Sequence, residues 1–305
     1  MGRRRARPPL PQRDGLDAVR VRTPARVGDE PAPWATLDAF LRDRLPGRVP
    51  VDAWLAEGRF VDAAGHPIAP GTPYTSATFV WFHKDPPEDP EPDDLAVLHR
   101  DDRIVVVDKP HLLATIPRGE HVNSSALVKL RRQLGLPDLA PAHRLDRLTA
   151  GVLLFTVRRE HRAAYQGLFA ERRAAKTYEA LAAALPALAT PTVVESHIVK
   201  RRGSLQAVEV PDAEPNARTV VTLVESRGDV GRYRLEPTTG RTHQLRVHLN
   251  GLGAPIIGDP LYPVVTEPPE EPGPPLRLVA RTLAFTDPLD GDAREFTSRA
   301  PLDWP

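Results

Sequence analysis

Hydrophobic positions over residues 34–83 predict a small folded unit with two helices and a hairpin. Leu37, Phe40 and Leu41 recur at the three- and four-residue spacing of one helical face. The segment VDAWLAEGRF repeats this spacing and reaches Gly58, a residue type that commonly ends a helix. The segments FVDAAGHPI and SATFVWF that follow are typical of a strand, a turn and two further strands.

From Leu95 onward, apolar runs typical of buried strands dominate the pattern. Three helices are also predicted, and the first has Ser124 or Ser125 as its N-cap and Gly135 just after its end. The helical segments are SSALVKLRRQLG, RREHRAAYQGLFAERR and HQLRVHLNGL. The predicted strands are RIVVVDKP, GVLLFTV, TYEALAA, ESHIV, LQAVEV, RTVVTLVES, RYRLEP and LVARTLAF. Because strands outnumber helices and often follow one another directly, we expect an α+β fold with a mixed or antiparallel sheet.

Two segments lack a pattern that could build a core. Residues 1–33 are rich in Arg and Pro, which predicts a disordered basic arm. Residues 84–94, KDPPEDPEPDD, hold four prolines and six acids without an apolar residue, which predicts a semi-rigid acidic linker. The expected organisation is therefore an arm over 1–33, a small domain over 34–83, a linker over 84–94 and a large domain over 95–305.

Composition excludes several classes of protein. The chain has 305 residues with 41 basic and 40 acidic side chains, so a net charge of +1 excludes a simple polycation but allows a local basic groove. No apolar run approaches the ~18 residues of a membrane span. The basic start MGRRRARPPLPQRDG lacks the apolar stretch of a secretion signal, which predicts a cytoplasmic location. The absence of cysteine excludes disulfides, thiolate catalysis and cysteine-based metal sites.

The segment HRLDRLTAGVLLF carries the first candidate for chemistry. Asp146 stands between Arg144 and Arg147, directly before a strand with a buried pattern. An arginine at ~4 Å contributes up to roughly 4 kcal/mol at an effective dielectric constant of 20. Such a pair keeps a carboxylate ionised, as a nucleophile or base requires. A structural ion pair that fixes a loop to the sheet explains the same pattern.

A second candidate is TTGRTHQLRVHLNG. Thr242 is a good N-cap, so the helix that follows would present its N-terminus beside Arg241. Leu245 falls on the stripe expected to face the core, and Arg246 lies one residue round from it, at the edge of a pocket.

A third candidate is RRAAKTYEALA, in which Lys176 and Tyr178 share one face if the segment is a strand. An aromatic ring beside cations is what base stacking needs. A tyrosine on an edge strand with cationic neighbours is the simpler structural explanation.

Other chemistries find no support in the sequence. His243 and His248 are five residues apart, not on one helical face, and no HExxH is present, so a zinc site is not predicted. Walker, GxGxxG and GxSxG sequences are also absent. Both histidines are expected to be structural, hydrogen-bonding residues.

These motifs together resemble one family. HRLDRLTAG, KTYEA and GRTHQLRVH occur in the order and approximate spacing of RluA-type RNA pseudouridine synthases. VVVDKPHLLATIP and GAPIIGDPLY are similar to further segments of that family, so the resemblance runs from about Asp102 to Leu302. The chain departs from the family at Ala150, which is usually Ser, and at Val279 and Asp287, which are usually histidines.

The resemblance implies a catalytic domain with a long, bent, mixed and mostly antiparallel sheet, flanked by helices, whose central cleft holds the site. It implies isomerisation of a uridine in ribosomal RNA of the large subunit or in transfer RNA to pseudouridine, without a metal or an organic cofactor. We expect RNA as the partner, no membrane and a monomer. Residues 34–83 resemble the family's small RNA-binding domain, but their many acids indicate a degenerate copy.

The resemblance also implies roles for individual residues. Asp146 matches the catalytic aspartate, Tyr178 matches a tyrosine that stacks on the base and moves a proton, and Arg246 matches the arginine that pairs with the aspartate. Leu245 matches an apolar residue near the base, and Arg144 matches an arginine that fills the vacancy left in the RNA stack. The residues predicted to bind substrate are Arg144, Lys176, Arg241 and Leu245.

Alternatives stay open at this point. The runner-up is a non-catalytic RNA-binding or ribosome-assembly factor that has kept the fold. A glycoside-cleaving hydrolase that uses Asp146 lacks a paired general acid at a matching motif. The sequence does not choose between attack of Asp146 on the ribose, attack on the base, and abstraction of a ribose proton to give a glycal.

Overall fold

The computed structural model divides the chain into a small unit, residues 1–88, and a large unit, residues 89–305. The residues that the structure describes are 8–25, 32–85, 94–117, 125–266 and 275–305. The boundary between the units falls within the predicted linker over 84–94, of which residues 86–93 lie outside the described residues. None of the described helices is long and apolar enough to cross a membrane.

The small unit packs two helices against a two-stranded sheet. Its elements are β1 (Val19–Arg22), α1 (Leu37–Arg44), α2 (Val51–Ala56) and β2 (Phe79–Phe82). Helix α1 begins where the Thr36 side chain accepts a hydrogen bond from the Ala39 amide. Phe40 and Leu41 of α1 and Trp54 of α2 are buried in one core, as the periodicity predicts.

Part of the N-terminal arm is ordered, so the prediction of a disordered arm over 1–33 is wrong for strand β1. Val19 pairs with Phe82 and Val21 with Val80 in an antiparallel ladder. The sequence VRVR alternates half-buried valines with arginines on the other face, which is a strand pattern of only four residues. Its surroundings, rich in Arg and Pro, obscure this short signal.

The large unit is built on one ten-stranded sheet among the described residues. Its strands are β3 (Ala96–Arg100), β4 (Ile104–Lys109), β5 (Ala140–Pro141), β6 (Ala150–Thr156), β7 (Ala175–Ala183), β8 (Thr192–Ser196), β11 (Ala217–Arg227), β12 (Val230–Pro237), β13 (Leu278–Thr286) and β14 (Ala293–Thr297). A separate hairpin pairs β9 (Ile198–Val199) with β10 (Val208–Glu209), and the helices are α3 (Ala126–Leu134), α4 (Arg162–Ala170) and α5 (Gln244–Gly251).

The sheet order is β3-β4-β6-β13-β7-β12-β11-β8, with β5 on β6 and β14 on β13. Among the described strands, only the short β6–β13 ladder is parallel. The prediction of an α+β fold with a mixed, mostly antiparallel sheet is therefore confirmed. The strands β3, β5 and β14 were not predicted.

Helices cover both faces of the central strands, which explains the continuous apolar runs in β4 and β6. Val105 and Val107 of β4 pack in a cluster with Leu130 of α3. Val106, on the opposite face, packs with Leu168 of α4. Side chains that alternate across a strand thus find a helix on either side.

Three residues lie in register across the middle of the sheet. Gly151 of β6 is opposite Ala280 of β13, which is opposite Tyr178 of β7. Gly151 has φ +115°, and a Cβ added there would lie 2.3 Å from the Ala280 carbonyl oxygen. Only glycine therefore fits this close approach. This close approach of β6 to β13 brings the turn that precedes β6 next to Tyr178.

Candidate functional site

Asp146 begins a tight turn directly before β6, and residues 146–149 are called the Asp146 turn below. The Thr149 amide donates to the Asp146 carbonyl at 3.1 Å. The preceding residue, Leu145, is bound twice by the buried Thr115 hydroxyl. That hydroxyl accepts from the Leu145 amide at 3.1 Å and donates to the Leu145 carbonyl at 2.9 Å. The segment after β4 thus fixes the backbone on which Asp146 sits.

Lys109, at the end of β4, is fully buried beside this turn. Its Nζ donates to the carbonyls of Pro110 at 2.9 Å, Leu113 at 2.8 Å and Arg147 at 3.4 Å. Burial lowers the pKa of Lys109 to about 7, although the charge of Asp146 acts in the opposite direction. The sequence showed a Lys-Pro pair here but gave no sign that the lysine supports the Asp146 turn.

Helix α5 places Arg246 against two carboxylates. Arg246 is 2% exposed, and its closest partner is Asp259, whose side chain is 0% exposed. Nε donates to Asp259 Oδ2 at 2.7 Å and Nη2 donates to Oδ1 at 2.6 Å. Nη1 lies 3.8 Å from Asp146 Oδ2. The predicted partner of Arg246 was Asp146 alone, and the structure adds a closer, bidentate partner.

Asp259 was missed by sequence reasoning, although it lies in the segment GAPIIGDPLY. Its Oδ1 also accepts from the amides of Leu261 and Tyr262, at 2.9 and 3.3 Å. The Tyr262 ring lies 5.2 Å from the guanidinium carbon of Arg246. This segment therefore holds the guanidinium in one orientation. In the sequence, only the motif GDPLY could have indicated the role of Asp259.

The N-terminus of α5 differs from the prediction of a Thr242 N-cap. The N-cap is His243, with φ +59° and no side-chain cap bond. The loop is instead held by Gln244, whose Oε1 accepts from the Thr239 hydroxyl at 2.7 Å and from the Arg241 amide at 3.0 Å. A glutamine inside the helix thus replaces the expected cap.

The two histidines of α5 have structural partners, as predicted. His243 Nδ1 lies 3.0 Å from the Tyr262 hydroxyl, and burial lowers its pKa to about 4. His248 contacts the hydroxyls of Thr219 and Ser196 at 2.9 and 3.1 Å, and burial lowers its pKa to about 4 as well. Both rings are neutral at pH 7. The described residues include no cluster of side chains suited to a metal ion.

Tyr178 is the aromatic side chain of the site. It packs with Leu245 and Leu148 in a cluster shared by the sheet and α5. Burial and the charge of Asp146 both raise the pKa of Tyr178, so its hydroxyl stays protonated. None of the described residues forms a hydrogen bond with this hydroxyl. Leu245, Tyr178, Arg246 and Asp146 are thus brought together.

The other predicted substrate-binding residues lie around this group. Lys176 donates from Nζ to the Thr239 carbonyl at 3.1 Å, and burial lowers its pKa. Arg241 donates from Nε to the Asn216 carbonyl at 3.1 Å. Arg144 is exposed two residues before Asp146 and has no partner among the described residues. The site therefore combines an accessible carboxylate, a neutral phenol and guanidinium groups.

Comparisons with known proteins identify relatives of this chain. The family profile described as RNA pseudouridylate synthase matches residues 103–251. Proteins named dual-specificity RNA pseudouridine synthase RluA are similar over nearly their whole length. The protein from Escherichia coli K12 is 33% identical over 72% of this chain and 97% of its own, and that from Pasteurella multocida Pm70 is 31% identical over 70% and 95%.

Two human structures are similar as well. Human RNA Pseudouridylate Synthase Domain Containing 1 has a TM-score of 0.57 at 26% identity, covering 71% of this chain and 89% of that one. Human RNA Pseudouridylate Synthase Domain Containing 4 has a TM-score of 0.54 at 26% identity, covering 68% and 88%. The fold of the large unit and the order of its motifs are therefore those of a known group of proteins.

Proposed function

This chain belongs to the RluA-type family of RNA pseudouridine synthases, and from that premise we propose that Asp146 is the carboxylate with which it isomerises uridine in RNA to pseudouridine. The observation that carries the proposal is the difference in solvent exposure between the carboxylates of Asp146 and Asp259. Asp146 is 32% exposed, whereas Asp259 is 0% exposed and bonded through both oxygens. Asp146 can therefore reach a substrate while Asp259 orients Arg246.

Asp146 lies beside a positive charge and on a turn whose backbone is held in place. Arg246 supplies positive charge at 3.8 Å, and Lys109 holds the backbone of the Asp146 turn. The carboxylate either displaces uracil by attack on the ribose, eliminates it by abstracting a ribose proton, or adds to the base before the bond to the ribose breaks. In every route the bond between the ribose and the ring nitrogen breaks, and the ribose is rejoined to carbon 5. The target uridine must first be flipped out of the RNA stack, at a cost of a few kcal/mol.

Tyr178 is proposed to stack on the flipped base and to move a proton late in the reaction. Its phenol stays protonated and has no hydrogen-bond partner among the described residues, so its hydroxyl is available to the substrate. Stacking on an aromatic ring contributes about 1–3 kcal/mol per base, which offsets part of the cost of flipping. Leu245 packs beside Tyr178 and supports the ring.

The same geometry disfavours the hydrolase alternative. A glycoside hydrolase needs a second carboxyl group that acts as an acid within reach of the substrate. The carboxylate that shares Arg246 with Asp146 is Asp259, which is sealed from solvent. Release of free uracil from RNA would restore that alternative.

Replacement of Asp146 by Asn tests the proposal. The substrate is RNA from cells that lack this gene, labelled with tritium at carbon 5 of uridine. Isomerisation joins carbon 5 to the ribose and releases the tritium to water. We expect Asp146→Asn to bind this RNA like the wild type and to release no tritium. Normal release by the variant would contradict the assigned role.

We propose that the substrate is ribosomal RNA of the large subunit or transfer RNA, and that the protein acts as a cytoplasmic monomer. The relatives named above are called dual-specificity enzymes, which supports more than one RNA as the target. Mapping pseudouridines in cellular RNA with and without this gene identifies the substrate. Cell fractionation and light scattering test the location and the oligomeric state.

A further inference from the structure

Leu112, in the loop after β4, combines an unusual backbone conformation with an exposed apolar side chain. Its φ is +63°, in the left-handed region that glycine and asparagine tolerate and that bulky residues avoid. Its side chain is 51% exposed. A strained backbone that holds an apolar side chain in solvent gains nothing from burial, and such strain clusters at functional sites.

Contacts with the Asp146 turn hold the strained loop in place. The Leu112 carbonyl accepts from Arg147 Nη1 at 3.3 Å. The imidazole Nδ1 of the preceding residue, His111, lies 2.7 Å from the Leu148 carbonyl. Two consecutive residues are thus tied to the turn that carries Asp146. The backbone of Leu112 is therefore held against the turn that carries Asp146.

The immediate surroundings of Leu112 favour nucleic acid as the occupant. Arg147, which contacts its carbonyl, is exposed, and so is Arg144 on the other side of Asp146. Exposed guanidinium groups attract phosphates, and apolar side chains among them insert between bases of distorted nucleic acid. A flipped nucleotide leaves the faces of its neighbours unstacked, and an apolar side chain can cover such a face.

We propose that Leu112 binds the substrate RNA by packing against a base next to the target uridine, an inference that rests on the proposed function. The strained conformation aims the side chain at the RNA before binding. Leu112 would contact the neighbouring base and not the target uridine, so its replacement should affect substrate binding more than the chemical step.

The test compares Leu112→Asn and Leu112→Met with the wild type. Asparagine tolerates the left-handed backbone but is polar, whereas methionine keeps an apolar side chain of similar size. Leu289→Asn is the control, because Leu289 is 47% exposed but has no positive φ. Tritium release from the RNA described above gives kcat and KM, and thermal unfolding gives Tm.

We expect Leu112→Asn to raise KM roughly tenfold, with kcat changed by less than about twofold and Tm unchanged or higher. Leu112→Met should keep most of the affinity, and Leu289→Asn should match the wild type. Two results would contradict the proposed contact even if the wild-type enzyme is active. One is a wild-type KM in Leu112→Asn, and the other is an increase in KM in Leu112→Met as large as that in Leu112→Asn. An inactive wild type would instead refute the proposed function, and this inference with it.

Discussion

The pair of Arg246 and Asp259 provides the sharpest test of how the site is built. Both side chains are buried, and two short hydrogen bonds join them. Asp259→Asn keeps the shape and an acceptor oxygen but leaves the guanidinium without its closest counter-charge. Removal of one partner of a buried ion pair costs about 3–5 kcal/mol.

The lower end of this range applies here, because Asp146 still lies 3.8 Å from Arg246 and compensates part of the lost charge. We therefore expect Asp259→Asn to lower the free energy of unfolding by about 3 kcal/mol. In a unit of this size, that change lowers Tm by roughly 6–12 °C. Arg246→Met should cost about the same, because it leaves the Asp259 charge buried.

The double variant separates a charge effect from simple loss of packing. The double variant Arg246→Met/Asp259→Asn leaves neither charge buried. It should lower the free energy of unfolding by about 3 kcal/mol, rather than by the roughly 6 kcal/mol that the two single changes would give if they were additive. Activity should not recover, because no guanidinium faces Asp146. Asp259→Asn alone should lower kcat about tenfold or more, since the guanidinium loses its orientation.

Scanning calorimetry of the full chain and tritium release measure the two effects. Glu171→Gln is the control, because Glu171 forms an exposed ion pair with Arg173, and such pairs contribute only about 0–1 kcal/mol. Strict additivity of the two single costs would refute the reasoning. So would full activity of Asp259→Asn, because the orientation of Arg246 would then not matter.

Three further predictions concern the sheet and the buried groups. Gly151→Ala should yield little folded protein, because the added Cβ would lie 2.3 Å from the Ala280 carbonyl oxygen. Gly240→Ala is the control, because a Cβ there meets nothing within 4 Å and the variant should fold normally. Soluble yield and Tm measure the difference. Tyr178→Phe keeps the ring but not the hydroxyl, so RNA binding should persist while kcat falls about 100-fold, and a normal kcat would remove the hydroxyl from the mechanism. Lys109 has a folded pKa of about 7, below the ordinary 10.5, so the unfolded chain binds an extra proton between these values and stability should rise with pH through that window. Thermal unfolding from pH 7 to 10 should show this rise, and Lys109→Met should flatten it.

Local patterns in the sequence located most elements of the fold. The four-residue core spacing of α1 and the apolar run of β4 depend only on residues close in the chain, so they could be recognised without a structure. For the same reason the sequence predicted Ser124 or Ser125 as the N-cap of α3 and Gly135 just after its end. The structure has Ser125 as the N-cap and Gly135 in a left-handed conformation at the C-terminal end. The strand β1 was missed because its partner β2 lies about sixty residues away.

The candidate site divides in the same way. The motifs around Asp146, Tyr178 and Arg246 could be identified from the sequence through their resemblance to a family, and the structure brings the three side chains together. No local pattern could show that Asp259, rather than Asp146, is the closest partner of Arg246. The pairing depends on how a loop thirteen residues further along folds back over α5.

The sequence by itself determined which residue types and which strands and helices were available, because side-chain periodicity and capping act over a few residues. Only the tertiary structure decided which of those groups meet. It sealed Asp259 and left Asp146 accessible, buried Lys109 under the Asp146 turn, and held Leu112 in a left-handed conformation. Each of these outcomes depends on contacts between distant segments, and their energies are set by burial and geometry that no local pattern encodes.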